Sequence, residues 1–236
     1  LLHGYLLEGS GSNLWTRSIV TSLCRSGETV HLFCQDNHPE LYDFISEFRI
    51  HHPDGSEEIV FQRESPYEGK CIMHKPKLGD LLPVYVRDNY EEFSIVVPMI
   101  ELETEILEKY IQTNIDVVTK VCNQYEIDVL HANHAVLMST VAYRIKQSHG
   151  IPYVIMPHGS AIEYAVKKDE RFYKYAEEAF KEAGKLFVIG KEMVSRVEKL
   201  FPQHEDVQQK METLNLGVDT SLFELAPPAK RNSNIT

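Results

Sequence analysis

From residue 101 to residue 216 the sequence alternates short apolar runs with single stretches of helical periodicity. The apolar runs predict strands, and the spacing of apolar residues between them predicts one amphipathic helix in each interval. The predicted strands are 128–131, 151–156, 186–189 and 211–216, and the predicted helices lie near 101–125, 137–150, 172–183 and 193–200. A single helix between two strands makes a right-handed crossover, so the strands run parallel and helices cover both faces. We therefore expect an α/β fold with a doubly wound, Rossmann-like parallel sheet.

The first part of the chain begins with the same alternation and then departs from it. A strand over 1–7, a helix that ends at Gly27 and a strand over 29–34 are predicted. Residues 36–100 interrupt the pattern, and Pro53-Asp54-Gly55 within them predicts a β-hairpin turn. We expect residues 1–225 to form one Rossmann-like domain with a hairpin-containing insertion at about 36–100, which often carries specificity. Residues 226–236 have the composition of a linker, which predicts the start of a connection to a further domain.

Charge and hydropathy exclude several classes of protein. The chain carries 24 basic and 35 acidic side chains, a formal net charge of -11, so no uniformly basic face for nucleic acid is expected. Its apolar runs are far shorter than the roughly 20 residues of a membrane span, and no export signal is recognisable. The four cysteines show neither CxxC spacing nor a disulfide-dense pattern. These features predict a cytoplasmic protein with reduced thiols.

A glycine-containing loop follows the first predicted strand. In doubly wound sheets this turn approaches the ligand most closely. Gly9 and Gly11 let backbone N–H groups come near a negative group, and a helix that starts at Asn13 adds its positive dipole end beside Ser12. The loop therefore suits a phosphate or a sugar beside one, although an ordinary glycine turn that packs helix on strand remains an alternative.

The same loop leaves a dinucleotide site open as an alternative. Leu14 stands where the G-x-G-x-x-G fingerprint requires its third glycine, which weakens that interpretation. Asp36, at the end of the second predicted strand, lies roughly where a ribose-binding acid would be. A nicotinamide-dependent oxidoreductase is therefore retained as an alternative.

Polar residues follow two later strands of the predicted sheet. His131, Asn133 and His134 leave one strand, and His158, Gly159 and Ser160 leave the next. Carboxyl ends of parallel strands share one edge, so both groups are expected to open onto the crevice of the glycine loop. There they could bind sugar hydroxyls or exchange a proton with an acceptor. Capping or satisfied core histidines are the alternative, and zinc binding is disfavoured because His131 and His134 lack a third ligand at a recognisable spacing.

The order of five segments resembles the amino-terminal half of a group 1, family 4 glycosyltransferase of the two-Rossmann-domain (GT-B) type. These segments are GYLLEGSGSN, DVLHANH, PYVIMPHGSAIEYAVKK, FVIGKEMVSRVEKLF and LNLGVDTSLFEL. The last contains Gly217-Val218-Asp219, which resembles the family's GVD-x-x-x-F stretch before the inter-domain linker. The resemblance covers nearly all of the chain outside 36–100.

The resemblance implies a function and roles for the residues. It implies transfer of a sugar from a nucleotide-sugar donor such as a UDP- or GDP-sugar, with retention of configuration and no bound metal or other cofactor. The chain would be the acceptor-binding half, and the fragment alone would be inactive without its donor-binding second domain. His131, His134 and His158 would be the catalytic candidates. Substrate binding would fall to the glycine loop and the small polar residues at the strand ends: Gly9, Gly11, Ser12, Asn13, Asn133, Gly159 and Ser160.

Two charged patterns are interpreted as surface features, and a third class of function stays open. Glu170 and Glu178 have the E-x7-E spacing that the family carries in its second domain, but here they fall on a predicted amphipathic helix. The nearby basic cluster of Lys167, Lys168, Arg171 and Lys174 is interpreted as a solvated face, with peripheral membrane contact as the alternative. A non-catalytic module that binds a sugar or a partner is the remaining alternative.

Overall fold

A computed structural model describes residues 1–87 and 90–217. The strands are β1 Thr29–Phe33, β2 Ile45–His51, β3 Glu57–Gln62, β4 Lys70–Pro76, β5 Leu81–Val84, β6 Ile95–Pro98, β7 Leu130–Asn133, β8 Tyr153–Met156, β9 Lys185–Ile189 and β10 Met211–Leu214. The helices are α1 Gly11–Arg25, α2 Thr104–Gln124, α3 Met138–His149, α4 Gly159–Ala161, α5 Glu170–Glu182, α6 Gly190–Leu200 and α7 Glu205–Gln209. Short 3-10 turns at Pro39–Leu41 and Met99–Glu101 and a π-helical turn at Ile162–Val166 complete the described structure.

The amino-terminal segment joins two four-stranded groups into one sheet. The groups have the orders β1-β4-β2-β3 and β10-β9-β8-β7. Leu2 forms parallel bridges to Phe33 at the end of β1 and to Ala132 in β7. Its N–H donates to the His131 carbonyl at 2.7 Å, and its carbonyl accepts from the Asn133 N–H at 2.9 Å. Residues 1–3 therefore take the central position, although the strand predicted over 1–7 is much shorter than expected.

The parallel α/β prediction is confirmed. The strands pair in parallel throughout the sheet except β2 and β3, which form an antiparallel hairpin around the predicted Pro53-Asp54-Gly55 turn. Alternate residues of β1 enter two different cores, since Leu32 packs with α1 whereas Phe33 packs with α2 and α3. Helices consequently cover both faces of the sheet, as the alternation of the sequence predicted.

The region 36–100 is less separate from the sheet than expected. β4 pairs in parallel with both β1 and β2, so the hairpin strand β2 and the short apolar run at Cys71 are part of the main sheet. Only β5 and β6 lie apart, as a two-stranded parallel pair. The expectation of an insertion over the whole of 36–100 is therefore corrected to the part beyond β4. The predicted linker at 226–236, and the GVD stretch beyond Gly217, lie outside the described residues.

Candidate active site

A cavity of about 530 Å³ lies beyond the carboxyl ends of the central strands. The chain passes from residues 1–3 through α1 to β1 on one side, whereas β7 lies on the other side, so this edge is the switch point of the topology. Residues from six segments line the cavity: Tyr5, Ser10, Gly11, Ser12, Asn13, Trp15, Val84, Tyr85, Val86, Tyr90, His134, His158, Gly159, Ser160, Ile189 and Leu216. The glycine loop and parts of both strand-end groups thus meet at one rim, as predicted.

A second cavity of about 740 Å³ occupies the opposite edge of the sheet. It lies at the amino ends of the strands and is lined by residues that include Gly27, Glu28 and Asp128. Ligands of open α/β sheets bind beyond the carboxyl ends of strands, so we assign the candidate site to the first cavity.

The glycine loop ends in the first turn of α1. Gly9 has φ of +84°, a left-handed conformation that suits glycine. The helix begins at Gly11, two residues earlier than predicted, and the Ser10 hydroxyl accepts from the Asn13 N–H at 3.3 Å. The first N–H groups of a helix have no carbonyl partner within it, and the helix dipole is positive there. Gly11 and Ser12 therefore present an electropositive edge at the rim, whereas Gly9 itself does not line the cavity.

A buried network of polar side chains fixes the loop beneath this edge. The His3 Nε2 faces two acceptors, the Leu6 carbonyl at 2.9 Å and the Asn13 Oδ1 at 3.1 Å, so Nε2 carries the proton. The His3 Nδ1 accepts from the Asn133 Nδ2 at 3.1 Å, and the same amide donates to the Thr16 hydroxyl at 2.8 Å. Burial lowers the pKa of His3 to about 4, so the ring is neutral at pH 7. His3 and Thr16 were not identified from the sequence, where nothing marked them as partners of the loop.

Asn133 and His131 do not reach the cavity, which corrects their predicted place at the crevice. Both side chains belong to the same face of β7 because residues two apart in a strand point the same way. Asn133 is fully buried in the network below α1. The His131 ring lies 5.4 Å from the Trp15 ring and 6.4 Å from that of Phe187, and burial lowers its pKa to about 3. The positions of both side chains fit a role in supporting α1. Because His131 does not contact the cavity, no contact supports a direct catalytic role for it.

His134 is the residue of this strand end that lines the cavity. It has φ of +71°, which is uncommon for a residue with a side chain. Its backbone N–H donates to the Met156 carbonyl at 3.0 Å, which pins the loop to β8. The side chain is 2% exposed, and within the described part of the chain neither ring nitrogen has a hydrogen-bond partner. Burial lowers the pKa of His134 well below its usual range, with smaller effects of His158 and His3.

The other predicted group lies beside His134 at the end of β8. The ring centroids of His158 and His134 are 4.8 Å apart, and burial lowers the pKa of His158 to about 4. Gly159 and Ser160 begin α4 and line the cavity. A Cβ on Gly159 would lie 2.8 Å from Nη1 of Arg196, whose guanidinium rests against this glycine. The two histidines, Gly159 and Ser160 are thus brought together as predicted.

Aromatic side chains that the sequence analysis did not single out form the inner wall. The Tyr5 hydroxyl donates to the Pro83 carbonyl at 2.6 Å and so ties the amino-terminal loop to β5. The ring centroids of Tyr5 and Tyr85 are 5.4 Å apart, and Tyr85 lies 4.9 Å from His134. The pattern of tyrosines carried no recognisable signal because Tyr5, Tyr85 and Tyr90 come from loops that only the fold brings together.

A family model described as Glycosyltransferase Family 4 matches residues 84–222, more than half of the chain. The chain belongs to glycosyltransferase family 4. The matched segment contains the His134 and His158 strand ends, whereas the glycine loop precedes it. No curated protein matches the chain. A solved structure from Lactobacillus plantarum WCFS1, described provisionally as a cell surface hydrolase, is similar over 99% of this chain and 95% of its own, with 9% identity and a TM-score of 0.44. That likeness is too distant to support an argument.

In this family 4 glycosyltransferase domain Asp36 has a structural role. It is therefore not available to bind a ribose, as the nicotinamide-dependent alternative requires. Its Oδ2 accepts from the Leu7 N–H at 2.9 Å and from the Tyr42 hydroxyl at 3.3 Å. Its Oδ1 accepts from the His38 N–H at 2.8 Å. The carboxylate is 5% exposed and does not line the cavity. Asp36 therefore holds two loops together instead of facing a ribose.

The charged groups assigned to the surface are engaged with one another. Glu170 pairs with Lys174 at 3.0 Å on α5. Arg171 is bound to Asp169 at 2.7 Å and donates to the Leu102 carbonyl at 2.8 Å. Lys167 pairs with Glu163 at 2.7 Å. Most of the basic cluster is therefore neutralised by neighbours, in agreement with the interpretation as a solvated face.

Two searches of the described residues bear on other classes of site. Over 1–87 and 90–217, no group of three or more histidine, cysteine or carboxylate side chains is arranged to hold a metal ion. None of the helices within these ranges is both long enough and apolar enough to cross a bilayer. The four cysteines are free, and three of them are buried, as predicted for reduced structural thiols.

Proposed function

We propose that this domain is the acceptor-binding half of a retaining glycosyltransferase that takes a sugar from a nucleotide-sugar donor. The observation that carries the proposal is the cavity at the switch point, where the start of α1, His134 and His158 meet in a chain of family 4. The donor would be a nucleoside diphosphate sugar, and the reaction would need no metal or other cofactor. We further propose a cytoplasmic location and no nucleic-acid partner, in keeping with the net charge of -11.

The start of α1 supports a role at the donor diphosphate. As the glycosidic bond to the diphosphate breaks, the sugar gains positive charge and the departing diphosphate gains negative charge. N–H donors at Gly11 and Ser12, together with the helix dipole, would interact more strongly with that departing charge than with the intact donor. Their fixed position in α1 means that little reorganisation would be needed during the reaction.

The histidines support a role on the acceptor side. Burial lowers the pKa of His158 to about 4 and that of His134 well below its usual range, so both rings are neutral at pH 7. A neutral imidazole has one donor and one acceptor nitrogen, which can orient an acceptor hydroxyl. His134 and His158 are therefore the residues to which we assign contact with the reacting sugars, and His131 is assigned to their support.

We also propose that the domain acts together with a donor-binding second domain, as the resemblance of Gly217 and the residues after it suggests. The test is transfer of radiolabelled sugar from a panel of UDP- and GDP-sugars to saccharide and lipid acceptors. It is run on residues 1–236 alone and on the same chain joined to the sequence that follows it in its gene. Transfer only by the longer protein, lost in a His158→Phe variant, supports the proposal. Enzyme-like transfer by 1–236 alone would contradict the two-domain part, and no transfer by either would contradict the function.

A further inference from the structure

We propose that the inner wall of the cavity at the switch point binds an uncharged pyranose ring of the acceptor and discriminates against sugars that carry a phosphate or a carboxylate. The ring would stack on Tyr5 and Tyr85 and place one hydroxyl against the imidazole of His134. This inference rests on the proposed function, since it names the class of acceptor for the same site.

The charge of the lining is the first observation. None of the described residues that line the cavity is lysine, arginine, aspartate or glutamate. The Arg196 guanidinium, which lies against Gly159, is already paired with Glu192 at 2.5 Å and Glu163 at 3.4 Å. A phosphate or carboxylate taken into this wall would lose its hydration without gaining a counter-charge, which is strongly unfavourable.

The two ring nitrogens of His134 are the second observation. Buried side-chain polar atoms nearly always have a partner, and leaving one without costs free energy. Here both nitrogens of a 2% exposed ring lack one within the described residues. A neutral imidazole has one N–H donor and one acceptor nitrogen, and a hydroxyl can pair with either of them, whereas a carboxylate or phosphate dianion only accepts and an ammonium only donates.

The position of His134 separates this site from the one assigned to the donor diphosphate. Gly11 and Ser10 are exposed at the rim, where the dipole of α1 favours an anion. His134 lies at the buried end, 5.4 Å from the Tyr5 ring and 4.9 Å from the Tyr85 ring. A rim that suits a diphosphate and an inner wall that suits a neutral ring fit the two substrates of one transfer reaction. Cavities of this size with an apolar wall and a few placed polar groups are typical of small-molecule sites.

The only tryptophan of the chain, Trp15, lines the cavity and reports binding directly. Its emission is titrated with methyl glycosides of glucose, mannose and galactose, with glucose 6-phosphate and glucuronate as charged counterparts, and with cyclohexanol as an apolar ring. We expect a saturable change with at least one neutral glycoside and at least tenfold weaker binding of the charged sugars, about the loss expected for a buried uncompensated charge. Equal or tighter binding of a charged sugar, saturation by cyclohexanol alone, or no saturation by any glycoside would each overturn the proposal.

A His134→Phe variant separates binding from structure. Phenylalanine keeps a ring but removes both nitrogens, so we expect about tenfold weaker glycoside binding with equal or higher stability in urea. The matched control is His149→Phe, since His149 is exposed at the end of α3 and does not line the cavity. Unchanged glycoside binding by His134→Phe would contradict the assignment. The transfer assay is run in parallel, because transfer to a charged acceptor would overturn this inference while the proposed function stands.

Discussion

Mild acidification is expected to unfold this domain, because it buries an unusual number of neutral histidines. Five of them are at most 7% exposed: His3, His31, His51, His74 and His134. Three form a hydrogen-bonded row across neighbouring strands, with His31 Nδ1 and His51 Nε2 each 2.9 Å from a ring nitrogen of His74. Charged groups also face this row. Glu57 lies 3.9 Å from His51 Nδ1 and pairs with Lys120 at 3.0 Å. Arg49 and the amino terminus carry positive charge and disfavour protonation of the row.

The magnitude follows from the pKa values. Burial lowers the pKa of His3, His31 and His51 to about 4, and it lowers that of His74 and His134 well below the value of about 6.5 in the unfolded chain. The unfolded state therefore binds more protons, and stability that is present above about pH 6.5 is lost as the pH falls. At about pH 5.5 each histidine costs about 1.4 kcal/mol, or about 7 kcal/mol for the five. Since domains are typically stable by about 5–15 kcal/mol, unfolding is expected between about pH 5 and 5.5.

Urea titrations at about pH 8, 6.5 and 5.5, followed by Trp15 emission and far-ultraviolet circular dichroism, measure this loss. A His74→Gln variant should reduce the total loss of stability between about pH 8 and 5.5 by about 1.4 kcal/mol. Lowered pKa values of carboxyls such as Glu108 and Asp169 add a loss only at lower pH. A change below about 2 kcal/mol between about pH 8 and 5.5 would refute the reasoning.

Three further outcomes are expected. Replacing Asp36 with Ala removes partners of two N–H groups and a hydroxyl, so the free energy of unfolding in urea should fall by about 2–4 kcal/mol, while NAD should show no saturable binding to either protein. Arg171→Met leaves the Leu102 and Ile100 carbonyls without the guanidinium donor, so the stability measured by thermal unfolding should fall by about 1–3 kcal/mol. The control Lys174→Met, at an exposed position, should change stability by no more than about 0.5 kcal/mol. Glycoside affinity at the cavity should be constant between about pH 6.5 and 8, because burial keeps the pKa of His134 and His158 below that range; a change centred near pH 6.5 would contradict it.

The sequence predicted the elements whose signals are local. The stripe over α2, the left-handed Gly150 after α3 and the apolar runs of β8 and β9 each carry their own periodicity or cap, and all four appear where expected. β4 was misassigned because its short apolar run gives no indication of partners. Its place between β1 and β2 depends on pairings over a long separation in sequence.

The site was predicted at the level of segments and not of side chains. Parallel strand ends must share an edge, so the convergence of the glycine loop with residues 134 and 158 followed from fold class alone. Which histidine faces the cavity depends on the positive φ of His134, a backbone conformation that no local residue preference indicated. The aromatic wall and the His3 network depend on loops that meet only in the folded chain.

The claim on which the account depends is that acceptor sugar binds in the cavity where α1 begins and where β7 and β8 end. Backbone amide shifts of the isotope-labelled chain, followed by NMR as the tightest-binding methyl glycoside is added, test it most directly. The account predicts that the largest changes fall at Tyr5, Tyr85 and His134 and at residues 158–160. Changes concentrated instead at Gly27, Glu28 and Asp128, around the cavity at the opposite edge of the sheet, would contradict it.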